Sequence, residues 1–384
     1  MKVGFDISQT GASKAGCGYY AHALAGVLPS LAPGHDFYFL QSFGDFFFDA
    51  TLSRRPASRK HNIQTGPFIS DYEVAKKFWN AEELENALES PDIIHSNNYW
   101  CPTQIKASRL LYTLYDLSFT EQPDWTTEAN RPGCFEGVFR AAISADWIVA
   151  ISEASRDHFR RLFPFYPDDR LRIIYPASRF IELNNEGGRP KALKDIPAEK
   201  FWLSVGTIEP RKNQKLLALA YARYIALGGD PMPIVFAGGA GWKMDDFAEY
   251  IETLGISEHV ILTGYVTDDE LIWLYRNCYA NLYPSFFEGF GLPVLEGMQF
   301  GAPTISSNST SLPEVAGRAA LLIDPDDIDA WVQALLHLSK DKNKRDRFAE
   351  SSATQASNFT WESSASKLLA LYEEAVSLPR RKAR

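Results

Sequence analysis

Two glutamates, Glu288 and Glu296, are separated by seven residues that include Gly289-Phe290-Gly291-Leu292-Pro293. Glycines let a backbone approach a ligand closely, and Pro293 suits the first position of a helix. A helix opening there aims N–H groups at whatever sits above the loop, which is an anion site. Phosphate alone gives no reason for carboxylates beside it. A ligand that also carries hydroxyls does, because a carboxylate accepts hydrogen bonds from sugar and ribose alcohols. A second cluster adds the opposite charge. The apolar run Phe201–Val205 leads into Gly206 and then the adjacent cations Arg211 and Lys212. Arginine forks onto phosphate oxygens and lysine supplies a point charge. Together these residues describe a pocket for a sugar joined through a diphosphate to a ribose, with Glu288 on the sugar hydroxyls and Glu296, in the first helical turn, on the ribose.

The Glu288–Glu296 pair around Gly-Phe-Gly-Leu-Pro resembles the E-x7-E motif of the retaining GT-B glycosyltransferases of family 4. The bare spacing is common; the glycine-rich core and the Arg211–Lys212 pair make it specific. The resemblance implies an α/β fold of two doubly wound, Rossmann-like domains facing across a cleft, with the donor on the second and the acceptor on the first. It implies catalytic roles for Glu288, Arg211, Lys212 and Asp116. Donor contacts are implied for Gly206, Gly289, Phe290, Gly291, Leu292 and Glu296. Gly16 and Gly18 match a glycine loop that approaches the donor diphosphate, and Tyr265 and Val266 match a turn against the nucleotide base. Asp116 matches the family's His-Asp-Leu, but Tyr115 stands where the histidine is usual. That departure removes an imidazole from beside the donor sugar. The stretch Glu209–Asn213 followed by Gly-Phe-Gly resembles bacterial members that build surface polysaccharides, many of which use GDP-mannose. A UDP-hexose or a dTDP-deoxysugar remains an open alternative, as does a nucleotide-sugar epimerase of the same fold.

The chain of 384 residues is long enough for two domains. Its 45% hydrophobic and 23% charged content is that of a globular protein. A net charge of −9 argues against nucleic acid as a partner. Cys17, Cys101, Cys134 and Cys278 show no metal-ligand spacing, which suits a reducing cytoplasm. The N-terminus enters a strand at once, so no leader is expected, and no apolar run reaches the roughly 18 residues a membrane span needs. No metal is expected, and the donor substrate takes the place of a cofactor.

These residues need strands that end beside one another. Apolar runs at Val3–Ile7, Phe37–Leu40, Asp92–Ser96, Leu110–Leu114, Ala145–Ala150 and Leu171–Pro176 predict a first sheet, runs at Phe201–Val205, Pro233–Ala237, Val260–Leu262, Asn281–Pro284 and Pro303–Ser306 predict a second, and a helix is predicted over 20–31. His95, Asn97 and Asn98 fall at a strand's carboxyl end, where ligands bind in such sheets, so they are expected to face the cleft. For a lone His95, catalytic and structural roles weigh equally. The domains are expected at 1–180 for the acceptor and 201–360 for the donor, joined by a linker at 181–200. A helix from residue 361 is expected to pack back on the first domain, with 379–384 a solvated basic tail. The implied acceptor is a glycan or lipid-linked oligosaccharide. Aromatics beside cations at Phe43–Lys60, Lys76–Trp79 and Arg160–Phe165 suggest peripheral contact with the inner membrane.

Overall fold

Short runs that are apolar throughout belong in parallel strands covered on both faces. The computed structural model has them there, and it describes residues 1–8, 10, 14, 16–41, 63–69, 71–128, 130–180 and 184–381. The aromatic and basic stretch Phe43–Lys60 lies outside the described residues. The chain divides into two units. One comprises Met1–Thr120, Glu128–Arg179 and Phe359–Arg384, the other Glu121–Thr127 and Phe180–Asn358.

The first unit is built on seven parallel strands: β1 (Lys2–Asp6), β2 (Asp36–Gln41), β3 (Ile63–Phe68), β4 (Ile93–Ser96), β5 (Arg109–Leu114), β6 (Trp147–Ala150) and β7 (Leu171–Ile173). Their order is β3-β2-β1-β4-β5-β6-β7, so the chain winds outward from β1 and then returns to its other side at β4. Helix α1 (Gly16–Leu31) begins four residues earlier than predicted, which puts Gly16 and Gly18 in its first turn and not in a loop before it. Helix α2 (Arg131–Ser144) follows β5, and α3 (Glu153–Leu162) follows β6. Ser152 caps α3 through its side chain, which accepts from the Ser155 amide.

The terminal helix, Trp361–Ser377, belongs to this unit. Trp361 packs edge-on to Tyr20 of α1, and its indole N–H donates to the Ser178 carbonyl at 2.8 Å. The tail after it is not a solvated end as far as residue 381. Asp146 is fully buried, and it takes Arg380 Nε at 3.1 Å and the Arg381 amide at 2.6 Å. A buried carboxylate needs such donors. The Lys76–Trp79 patch also dissolves into packing: Trp79 is fully buried, Phe78 packs on the core, and Lys76 lies over the Trp100 ring.

The second unit holds six parallel strands: β8 (Trp202–Val205), β9 (Ile234–Ala237), β10 (Val260–Gly264), β11 (Ala280–Tyr283), β12 (Thr304–Ser307) and β13 (Ala320–Ile323), in the order β10-β9-β8-β11-β12-β13. Its helices include α4 (Gln214–Ala226), α5 (Asp268–Asn277), α6 (Leu292–Gln299) and α7 (Leu312–Ala316). The stretch predicted as a linker is packed in part: Leu193 shares a core with Phe180, Phe201 and Trp273. In this sheet the winding reverses between β8 and β11, so the loops leaving those two strands lie side by side.

Candidate active site

The two neighbouring loops carry the cations and the glutamates. After β8 the backbone passes through Gly206 at φ +143° and enters a single 3-10 turn, Pro210–Lys212. After β11 it runs through Pro284–Gly291 into α6. The loops are stitched together by backbone and side chain. The Phe286 amide donates to the Arg211 carbonyl at 2.9 Å, and Ser285 Oγ lies 3.1 Å from the same oxygen. Asn213, held at φ +58°, donates its amide to the carbonyls of Pro284 (3.2 Å) and Pro325 (2.8 Å).

Glu288 is the centre of the charge. Its Oε1 accepts from Lys212 Nζ at 2.7 Å, Ser285 Oγ at 2.6 Å and the Tyr283 hydroxyl at 3.0 Å. Its Oε2 lies 3.0 Å from Arg211 NH1. Burial alone would raise this carboxyl, but the charges of Arg211 and Lys212 and the bonds from Lys212 and Ser285 outweigh it and hold the group down at about 2. Arg211 reaches further, to the Phe287 carbonyl and to Glu209 Oε1, both at 2.6 Å. Burial pushes Glu209 up against the pull of Arg211, and pushes Lys212 down against the pull of Glu288. Lys212 Nζ also donates to the Tyr283 hydroxyl at 2.5 Å. Tyr283 thus joins the cation and the carboxylate, a role invisible while it reads as the last residue of a buried strand.

The glycine-rich loop is held by contacts of its own. Gly291 takes φ +109°, and a Cβ there would stand 2.6 Å from Leu312 Cδ2. Gly289 and Phe290 are buried in the same turn. Leu292 opens α6 and Pro293 is its second residue, one place later than predicted. Glu296 consequently lies beyond the first turn, 2% exposed, accepting from the Tyr275 hydroxyl at 3.3 Å. Ser311 precedes α7 but makes no side-chain cap to it. Its hydroxyl is directed to the carbonyls of Glu288 (2.9 Å) and Phe290 (2.8 Å), which clamps the loop. Thr310 Oγ1 accepts the Glu288 amide at 2.9 Å. A Cβ on Gly206 would meet the Lys212 side chain, so that glycine borders the cation. Tyr265 is 82% exposed just past Gly264, and Val266 packs partly into the core.

Asp116 lies in the first unit, where its Oδ1 accepts from the Ser118 amide (3.0 Å) and hydroxyl (2.8 Å). The Tyr115 hydroxyl donates to the Asn97 carbonyl at 2.9 Å and lies 3.2 Å from the Cys17 carbonyl at the start of α1. His95, Asn97 and Asn98, expected at an open ligand site, are instead buried and bonded within the first unit. Thr113 gives its proton to Asn97 Oδ1 (2.6 Å) and so accepts from His95 Nε2 at 2.9 Å. His95 Nδ1 then accepts from the Tyr372 hydroxyl at 2.6 Å, which fixes a neutral tautomer. Burial lowers this imidazole to about 3, and its role is structural.

Comparison with known proteins places the chain. Residues 190–355 match the family described as Glycosyl transferases group 1, and residues 15–177 match Glycosyltransferase Family 4. O-antigen chain mannosyltransferase B of Escherichia coli is 32% identical over 284 residues, 73% of this chain and 74% of that protein. The chain belongs to glycosyltransferase family 4. A second relative of this family 4 enzyme, serotype-specific mannosyltransferase WbdA of Escherichia coli, is 34% identical over 227 residues, 58% of this chain but 28% of that one. Among solved structures, Anabaena HepE in complex with UDP and glucose overlays with a TM-score of 0.70 at 17% identity, covering 97% of this chain and 100% of its own. WaaG, a glycosyltransferase involved in lipopolysaccharide biosynthesis, gives 0.65 at 15% identity, covering 97% of this chain and 99% of its own. These likenesses show that the family 4 chain has the GT-B fold.

Proposed function

We propose that this glycosyltransferase transfers mannose from GDP-mannose, with retention, to a hydroxyl of a growing surface polysaccharide or lipid-linked oligosaccharide. The observation that carries the reading is the pair Arg211 and Lys212, held by one ionised glutamate beside the opening of α6. Negative charge grows on the nucleoside diphosphate as its bond to the sugar breaks, and fixed cations in a buried setting stabilise that charge. The cations and helix amides meet the diphosphate without a metal. Glu288 is ionised at any working pH and therefore acts as neither proton donor nor acid catalyst. Three donors occupy its Oε1, so a sugar hydroxyl is received by Oε2, which retains lone-pair capacity beside Arg211. Glu296 is assigned to the ribose. Gly206, Gly289 and Gly291 lie along the donor, and Tyr265 and Val266 lie by the base. Gly16, Gly18 and Asp116 are assigned by family resemblance, Asp116 to the reacting centre.

With no carboxylate placed as a nucleophile, the acceptor oxygen attacks from the face the diphosphate leaves. The departing phosphate oxygen takes the acceptor's proton, which preserves the anomeric configuration. The mannosyl assignment draws on the O-antigen mannosyltransferases among the relatives. The cytoplasm, at the inner face of the membrane, is the proposed place of action. Among the described residues no helix is long and apolar enough to cross a membrane. A panel of GDP-mannose, UDP-glucose, UDP-N-acetylglucosamine and dTDP-rhamnose, assayed with and without EDTA, tests this by nucleotide release. GDP release confined to GDP-mannose and indifferent to EDTA is expected. Turnover of a UDP or dTDP donor in its place would overturn the donor assignment, and epimerised nucleotide sugar without transfer would overturn the reaction.

A further inference from the structure

Residues Glu121–Thr127 belong to the second unit, although the chain on both sides of them belongs to the first. They contain a single 3-10 turn, Pro123–Trp125, with Gln122 and Thr126 extended on either side. So short a turn does not persist alone and is held by what it touches. The Asp124 carbonyl accepts from Trp242 Nε1 at 2.9 Å, and the Asp124 carboxylate pairs with Lys243 Nζ. Both members of that ion pair are exposed, so it adds little. Trp242 stands on the loop after β9. There the Gly241 amide donates to the Ile208 carbonyl at 3.1 Å, and the Ile208 amide donates to the Gly239 carbonyl at 3.0 Å. Ile208 lies between Gly206 and Arg211, so the seat of the turn is bonded to the loop that carries the cations.

The larger contact is made by Trp125. Its ring stacks on Phe286 with 6.3 Å between centroids and 14° between planes, and it lies tilted against Phe287 at 5.7 Å. Aromatic pairs at such spacings attract one another beyond the area they bury. These two phenylalanines are the residues whose backbones hold Arg211. The Phe286 amide donates to the Arg211 carbonyl, and the Phe287 carbonyl accepts from the guanidinium. The turn Pro123–Trp125 also lies against the turn Pro210–Lys212. A guanidinium on a long stem loses entropy when it is held in one place. A cation stabilises a growing charge best when it is in place before that charge appears.

We propose that Trp125 is a positioning residue for the transfer: by clamping Phe286 and Phe287 it fixes Arg211 where the departing diphosphate meets it. The proposal rests on the reading of Arg211 as the cation that stabilises the leaving group. The test is a double-mutant cycle on the full chain, read by steady-state release of GDP from GDP-mannose. W125A is expected to lower kcat about tenfold while KM for the donor stays within about twofold, because the lost support acts as charge grows. W125F keeps a ring on Phe286 and should recover to within about threefold of wild type. In the R211A background W125A should cost less than about twofold, since two residues that act through one group are not additive. Should W125A fail to fold, W125L, which fills the same space, carries the cycle in its place. Unchanged kcat in W125A, W125F as slow as W125A, or the same loss with and without Arg211 overturns the positioning role and leaves the functional reading standing. Wild type that releases nucleotide from no donor overturns that reading and this role with it. Release from another donor overturns the donor assignment alone, and the cycle run on that donor still decides the part played by Trp125.

Discussion

Glu288 takes four donors, and the donor least expected is Tyr283. Removing its hydroxyl leaves Lys212 and Glu288 in contact but less fixed. Y283F is expected to lower kcat by about tenfold, the equivalent of roughly 1.4 kcal/mol, with little change in KM for the donor. Steady-state kinetics on the donor panel checks this. Because Glu288 titrates at about 2, its own ionisation does not set the acid limb of activity, and E288Q should not move that limb although it slows turnover. R211A removes the contacts to Glu288, Glu209 and the Phe287 carbonyl together and should cost at least about a hundredfold in kcat. The motif residues were legible because their chemistry is carried by type and spacing. Tyr283, Glu209 and Ser311 were not. Each reads locally as something ordinary, a strand end, a loop acid or a helix cap, and acquires its role only when separate loops meet.

At the level of elements, the loop between β11 and α6 depends on a glycine and a serine. G291A must place a Cβ against Leu312 at a φ of +109° and should destabilise the enzyme by about 1–3 kcal/mol, read as a lower denaturant midpoint. S311A frees two loop carbonyls and should cost about 1–2 kcal/mol in the same measurement. Most strands of both sheets were readable because a parallel strand buried on both faces is simply an apolar run. The two missed strands are edges. β3 contains Gly66 and Pro67, tolerated there because an edge has one unpaired side, and β13 is four residues long. The early start of α1 was hidden by Gly16 and Gly18, which argue for a loop by propensity and are overruled by the packing of α1 on the terminal helix.

For the molecule as a whole, two buried groups set opposing responses to acid. His95 is lowered from 6.5 to about 3, so the stability of burying it neutral is complete above 6.5 and is lost as pH falls toward 3. Burial raises Asp6 from 3.8 to about 6 against the bonds from Ser8, Asn97 and Asn98, so its cost appears as pH rises from 3.8 toward 6. Between about pH 4 and 6 the two slopes cancel. H95Q should uncover the Asp6 slope, with unfolding free energy falling by up to about 1.4 kcal/mol per pH unit as pH rises through that window. Urea titrations of both proteins at several pH values check it.

On the proposed function, the pair Arg211 and Lys212 bears on product release as well. Arg211 and Lys212 are matched by Glu209 and Glu288, so the pocket is electrically balanced before any donor arrives. On the proposed donor site, a spent nucleoside diphosphate meets cations that already have acid partners, which weakens their hold on it and favours its release. Neutralising one acid, as in E209Q, should convert that product into a tenacious inhibitor.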